Sequence, residues 1–228
     1  MELIYKGKTK DVYKLSDGNI LFKFKDDATG ADGVFDPGAN TVGLSIEGLG
    51  RQSLALSKYY FEILNNLGIP THYISGNLEE CTMTVRPVHM FGQGVETICR
   101  LKADGSFIRR YGAYVKTGQD LDYLVEFTLK DNERQDPPAT KDTLVMLGIM
   151  SGDEYEEMKD LTKKITRILK KDLSGKGLEL YDIKYEFAKI DGRISLADEI
   201  SGGVMRIYHN GNIVAPMELN ELILKGAK

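Results

Sequence analysis

The sequence predicts an α+β chain in two lobes: a small antiparallel β-rich lobe over residues 1–90 and a larger α+β lobe over 91–228. Three observations carry this reading. Short apolar runs in the first 90 residues are separated by Gly, Asp and Asn turns around one helical stretch. Phe91-Gly92-Gln93-Gly94 is a glycine-rich candidate hinge. The rest combines one long amphipathic helix with a two-stranded hairpin between Leu180 and Arg206.

Composition narrows the function classes. The chain has 228 residues, enough for a sizeable core, with 42% hydrophobic and 28% charged residues, ordinary for a globular protein. A net charge of −4 argues against bulk nucleic-acid binding, which needs a basic field, and leaves local basic patches suited to phosphorylated small molecules. Cys81 and Cys99 lack CxxC spacing and indicate neither a metal cluster nor a disulfide framework. No apolar run reaches the roughly 18 residues of a membrane span. The start, MELIYKGKTKDVYKL, lacks the apolar core of a signal peptide. A cytoplasmic location is expected.

In order, Leu3-Ile4-Tyr5 leads into the turn Lys6-Gly7-Lys8-Thr9-Lys10, then Val12 to Leu15, a Ser16-to-Asn19 turn and a strand over Ile20 to Phe24. The lysine-rich turn reads either as a solvated loop or as a phosphate cradle, because glycine admits backbone amides and lysine supplies charge. It is no Walker loop, since GxxxxGK[ST] is missing. Lys25 to Gly33 is a polar Gly/Asp loop, and residues 38–52, with four glycines, read as weakly structured. Ser53 to Leu67 has a broad apolar helical face stopped by Gly68. Thr71 to Ile74 and Cys81 to Pro87 read as strands; His72 and His89 stand outside any acid–nucleophile pattern, so packing or surface roles are expected.

After the hinge, Val95 to Arg100 reads as a strand, Leu101 to Ser106 as a turn, and Phe107 to Gly112 as a short helix or strand. Arg100, Ser106 and Arg109-Arg110 gather positive charge and a hydroxyl around a Gly-Ser turn, a phosphate-binding pattern. Leu124 to Lys130 is a strand. Thr140 opens a helix that breaks near Gly148, and Ser151 with Glu154 forms a capping box for the next. That helix carries the stripe Tyr155, Met158, Leu161, Ile165, Ile168, Leu169 and ends at Gly175 and Gly177.

In the hairpin that follows, Ile183, Tyr185 and Phe187 alternate with Asp182, Lys184 and Glu186, and Asp191-Gly192 marks a two-residue turn. The return strand, Arg193 to Ile200, includes Asp198-Glu199. Lys184, Glu186 and Asp198 are expected on one face. Alone, such a face is either a solvated surface or a seat for Mg²⁺ and phosphate oxygens, since Mg²⁺ favours one or two carboxylates plus substrate phosphates. The tail from Ile213 holds only a short apolar stripe.

Seven segments in order resemble the SAICAR synthetase family: YKGKTKDVY, FKDDATGADG, NNLGIPTH, ETICRLKADGSFIRRYG, LKDNERQDP, GLELYDIKYEF and LADEISGGVMR. The resemblance runs from about Tyr5 to Arg206. It implies a two-lobed fold with an ATP cleft between the lobes, and an ATP-dependent amide ligase of purine biosynthesis. The carboxylate of the imidazole nucleotide CAIR would be phosphorylated to an acyl phosphate, which the aspartate amine would then displace to give SAICAR, ADP and phosphate. By motif, Lys8, Lys10 and Lys130 would serve ATP, and Glu186 and Asp198 would hold Mg²⁺. Lys184 and Asp198 would act at the reacting centre. Arg100, Ser106 and Arg206 would bind the ribose phosphate, with Asp32 and Asp136 at the imidazole nucleotide and the amine. A homodimer is the assembly implied, with neither nucleic acid nor membrane as partner.

The chain departs from the family pattern in places. Arg100 is followed by Leu101 rather than Asn; the segment before Ser106 is Asp104-Gly105; Ser201-Gly202-Gly203 replaces Ser-Pro-Asp; Arg206-Ile207-Tyr208-His209 replaces Arg-Leu-Trp-Asp; and the tail is shorter. A diverged ligase for another amine or carboxylate is therefore the alternative expectation.

Overall fold

The computed structural model describes residues 1–31, 34–35 and 42–224; Asp32 lies outside them. In the first lobe, β1 (Glu2–Lys6), β2 (Lys10–Lys14) and β3 (Ile20–Phe24) form an antiparallel meander. A second small sheet joins β4 (Asp27–Ala31), β5 (Val34–Phe35) and β6 (Val42–Ser45) in the order β5-β4-β6. The helix α1 (Leu49–Asn66) leads to β7 (Tyr73–Asn77) and β8 (Thr82–Val85), which complete the first sheet as β1-β2-β3-β8-β7.

The second lobe is built on one long strand. The short strand β9 (His89–Met90) leads into it, and its elements are β10 (Val95–Lys102), α2 (Gly105–Tyr111), β11 (Asp120–Leu129), α3 (Lys141–Met146), α4 (Gly152–Ser174), β12 (Glu179–Ile190), β13 (Arg193–Ala197), β14 (Met205–His209), β15 (Asn212–Ile213) and α5 (Pro216–Leu224). The sheet runs β11-β10-β12-β14-β15, every pair antiparallel. The first half of β12 pairs with β10 and β14; its second half pairs with β13 and β9.

The α+β class expected from the sequence is the class observed. Helix α4 starts at the Ser151–Glu154 capping box, each side chain bonding the other's backbone N–H at 3.2 and 2.7 Å. Met158, Ile165, Leu169 and Leu173 bury its inner face against the sheet, each side chain contributing on the order of 2 kcal/mol. Ile183, Tyr185 and Phe187 line the same core. Because α4 covers this face of β12, Asp182, Lys184 and Glu186 project from the other, toward the cleft. Asp191 and Gly192 both have positive φ, 50° and 78°, as the turn signal required.

Several boundaries move for identifiable reasons. Helix α1 begins at Leu49 rather than Ser53, with β6 before it in the stretch expected to be weakly structured. Its cap comes from far away in sequence: the Asp26 carboxylate accepts from Gly48 N and Gly50 N, both at 3.0 Å. Gly50 is needed there, since a Cβ would lie 2.8 Å from the Lys25 carbonyl oxygen. Strand β10 continues to Lys102 where a turn was expected, and Asp104 then caps α2 by accepting from Gly105 N at 2.7 Å. The tail forms α5, which packs on α1 and bonds Asn220 Nδ2 to the Gln52 carbonyl at 2.6 Å.

Candidate active site

Two cavities share one wall between the lobes. The first, about 600 Å³, is lined by the Gly7–Lys10 loop and β3 on one side and by Lys130, Lys184, Glu186 and Asp198 on the other. The second, about 540 Å³, holds Arg100, Ser106, Arg109, Arg110 and Arg206. Glu96, Asn132, Asp136, Lys184 and Val204 line both.

In the first cavity three lysines each meet an acid. Lys10, 8% exposed, lies 3.0 Å from Asp198 and 2.5 Å from Glu199. Burial opposes its charge, but the two carboxylates outweigh burial and raise its pKa. Lys130 pairs with Glu186 at 2.6 Å and Lys184 with Glu96 at 2.7 Å; both ammonium groups are likewise held charged against burial. Burial and then the neighbouring Asp198 raise Glu186, whereas Asp198, despite burial, is held down to about 2 by Lys10 and Lys130. Lys8 reaches across the cleft mouth to Asn132 Oδ1 at 2.9 Å. Burial lowers its pKa, as do Lys184 and Lys130, with Asp136 opposing.

The expected shared face of Lys184, Glu186 and Asp198 is present, but strand pairing does not make it. The ladder sets Glu186 opposite Ala197. Continued by one residue it would place Asp198 opposite Tyr185, on the core side. Strand β13 ends at Ala197 instead, and Asp198 at φ 60° turns into the cleft. Two carboxylates close enough to perturb each other, each balanced by a lysine, suit a hard divalent cation that keeps further sites for phosphate oxygens.

The second cavity rests on a cross-strand row. Arg100 on β10, Asp182 on β12 and Arg206 on β14 are directly opposite one another. Asp182 accepts from Arg100 Nη1 at 3.0 Å and from Arg206 Nη1 at 3.0 and 3.2 Å. Arg100, 1% exposed, also donates to Glu126 and, at 2.9 Å, to Ser106 Oγ. The Arg206 guanidinium lies on Gly105, where a Cβ would come within 2.5 Å of its carbon. Asp104 does not face this cavity as a free anion: its carboxylate is taken up by the α2 cap and by the Tyr208 hydroxyl at 2.9 Å.

Of the residues expected at a site, Lys8, Lys10, Lys130, Lys184, Glu186, Asp198 and Asp136 line the first cavity, and Arg100, Ser106 and Arg206 the second. Asp136, at φ 47°, accepts from Asp131 N at 2.8 Å. Glu96, Glu199, Asp182 and His72 also line these cavities and are not among the residues expected there. Period-two alternation from Arg100 back along β10 points to Glu96; nothing in sequence marks His72, buried behind Asp198.

Lysines beside acids in one cavity and a row of arginines in the next suit an enzyme with two anionic ligands side by side. The chain belongs to the SAICAR synthetase family, whose model matches residues 3–219. It is 61% identical over 227 residues to a phosphoribosylaminoimidazole-succinocarboxamide synthase of Clostridium tetani, covering 99% of this chain and 100% of that one. The Thermotoga maritima protein of the same name is 39% identical over 211 residues, covering 92% and 86%. A solved SAICAR synthetase in complex with ADP superposes with TM-score 0.85 at 29% identity, covering 97% of both chains.

Proposed function

We propose that the chain is an ATP-dependent amide ligase of purine biosynthesis that joins the CAIR carboxylate to the aspartate amine through an acyl phosphate, giving SAICAR, ADP and phosphate. The observation that carries the reading is the shared wall. Lys184 lies between a cavity of metal-type acids and a cavity of arginines, where a carboxylate would meet the group transferred to it. Full-length likeness to the Clostridium tetani protein, whose length the chain matches, supports the ordinary substrates over a diverged pair.

In this reading Lys8, Lys10 and Lys130 serve the ATP phosphates, and Arg100, Ser106 and Arg206 the ribose phosphate. Lys184, fixed by Glu96, faces the reacting carboxylate and offsets the charge that builds on its oxygens. A carboxylate oxygen takes the γ-phosphoryl group as the bond to ADP breaks; the amine then forms the C–N bond as phosphate leaves. Glu186 and Asp198 are the residues that would hold Mg²⁺, which when bound neutralises phosphate charge. Asp136, with Asp32 outside the described residues, is assigned to substrate. The division at residue 90, a cytoplasmic location and a homodimer belong to the same reading; among the described residues no helix is long and apolar enough to cross a membrane.

The test is ADP release with Mg-ATP and CAIR, with and without aspartate, followed by mass detection of the product. Aspartate-dependent release with a succinocarboxamide product is expected. ADP release that ignores aspartate, or that depends on another amine, would overturn the substrate assignment.

A further inference from the structure

Asp198 occupies a conformation that L residues rarely adopt, φ 60°, and its side chain reaches the cleft because of it. Aspartate tolerates this region better than most residues, but neighbouring contacts must still hold it there. The first lobe supplies them on both flanks. Before Asp198, His72 N donates to the Leu196 carbonyl and Leu196 N to the Pro70 carbonyl, both at 2.9 Å. After it, Ser57 Oγ donates to the Ile200 carbonyl at 3.1 Å and accepts from Ile200 N at 3.2 Å. On Asp198 itself, the peptide carbonyl meets His72 Nε2 at 3.1 Å. A carbonyl oxygen can only accept, so Nε2 carries the hydrogen. The ring is 1% exposed and sits between Phe22 and Phe61, at centroid distances of 5.7 and 5.3 Å, which leaves it little freedom to turn away.

We propose that His72 is a positioning residue for Asp198: its Nε2–H holds the Asp198 carbonyl, fixes the left-handed backbone, and so keeps the carboxylate in the cleft beside Lys10. This rests on the reading of Asp198 as a metal-holding acid. Groups that orient a metal ligand from behind commonly change metal affinity when removed, without touching the metal themselves.

The test uses ADP as the probe, with its binding measured by calorimetry with and without MgCl₂, on the wild type and on three variants. His72→Leu removes the donor and keeps apolar bulk. His72→Asn keeps a donor, but nearer the backbone than Nε2, and serves if the leucine variant does not fold. His72→Gln places an N–H near the Nε2 position. The magnesium-dependent gain in ADP affinity is expected to fall about tenfold or more in His72→Leu and His72→Asn, and to stay within about threefold of wild type in His72→Gln. ADP binding without magnesium should be unchanged in all three. Turnover should follow the same order, through kcat and the magnesium requirement rather than KM for CAIR. Wild-type magnesium dependence in His72→Leu or His72→Asn overturns the proposal. So does an equal loss in all variants with and without magnesium, the mark of a packing role. A wild type with no magnesium-dependent gain instead overturns the metal assignment beneath it.

Discussion

Gly105→Ala is the most revealing single change in the second cavity, because one methyl group meets two constraints. Gly105 has φ 51°, where an L residue costs about 1–2 kcal/mol. The new Cβ would also stand 2.5 Å from the Arg206 guanidinium carbon, which must retreat by about 0.9 Å to reach ordinary contact at 3.4 Å. Arg206 is not a loose surface arm: its Nη1 is bonded to both Asp182 oxygens, at 3.0 and 3.2 Å. A retreat of that size stretches at least one of these charge-assisted bonds beyond useful range, adding about 1.5 kcal/mol. Together the two effects come to about 3 kcal/mol, or a melting temperature lower by about 6–12 °C for a chain of this size. KM for CAIR should rise about tenfold or more as the phosphate loses an aligned guanidinium, while KM for ATP stays put. Melting curves and steady-state kinetics with each substrate varied measure both. A variant that melts within about 2 °C of wild type with unchanged KM for CAIR would refute the seating of Arg206 on Gly105 as a requirement of the site.

Three further outcomes follow from the first cavity. Glu186→Gln and Asp198→Asn should each abolish magnesium-dependent ATP turnover while leaving the far-ultraviolet circular dichroism unchanged; near wild-type turnover in either would remove the hairpin from the metal site. Lys184→Met should abolish turnover and leave Glu96 buried without its cation. The stability loss should be about 2 kcal/mol, below the 3–5 typical of fully enclosed pairs because Lys184 is partly exposed. Adding Glu96→Gln should recover stability in urea melts but not activity. His72 should make stability depend on pH. Burial, partly opposed by Asp198, lowers it from 6.5 to about 4, so the unfolded chain binds the proton first. Its contribution is complete above pH 6.5 and is lost as pH falls toward 4, amounting to about 3 kcal/mol at 1.36 kcal/mol per pKa unit. Urea titrations between pH 7 and 4.5 should show a shallower slope in His72→Gln than in wild type.

The elements legible in the sequence are those whose signal is local. Helix α4 declares itself through a stripe and a capping box within its own residues, and the β12–β13 turn through Asp191-Gly192, because both are settled by contacts a few residues apart. The start of α1 is set by Asp26, more than twenty residues upstream, so a window over residues 38–52 holds glycines but no cap. The site divides the same way. Lys184 and Glu186 follow from alternation along one strand, Arg100 from the phosphate pattern and Arg206 from the family resemblance; their clamp, Asp182, is visible only once β10, β12 and β14 lie in register. Asp198 is the sharpest case. It shares a cavity with Lys184 and Glu186, yet the pairing rule, continued along the ladder, points its side chain into the core. The grouping survives because the ladder stops one residue early and a histidine from the other lobe fixes the reversed backbone. The cleft is therefore a joint product of both lobes, since the acid contributed by the second takes its direction from a side chain of the first.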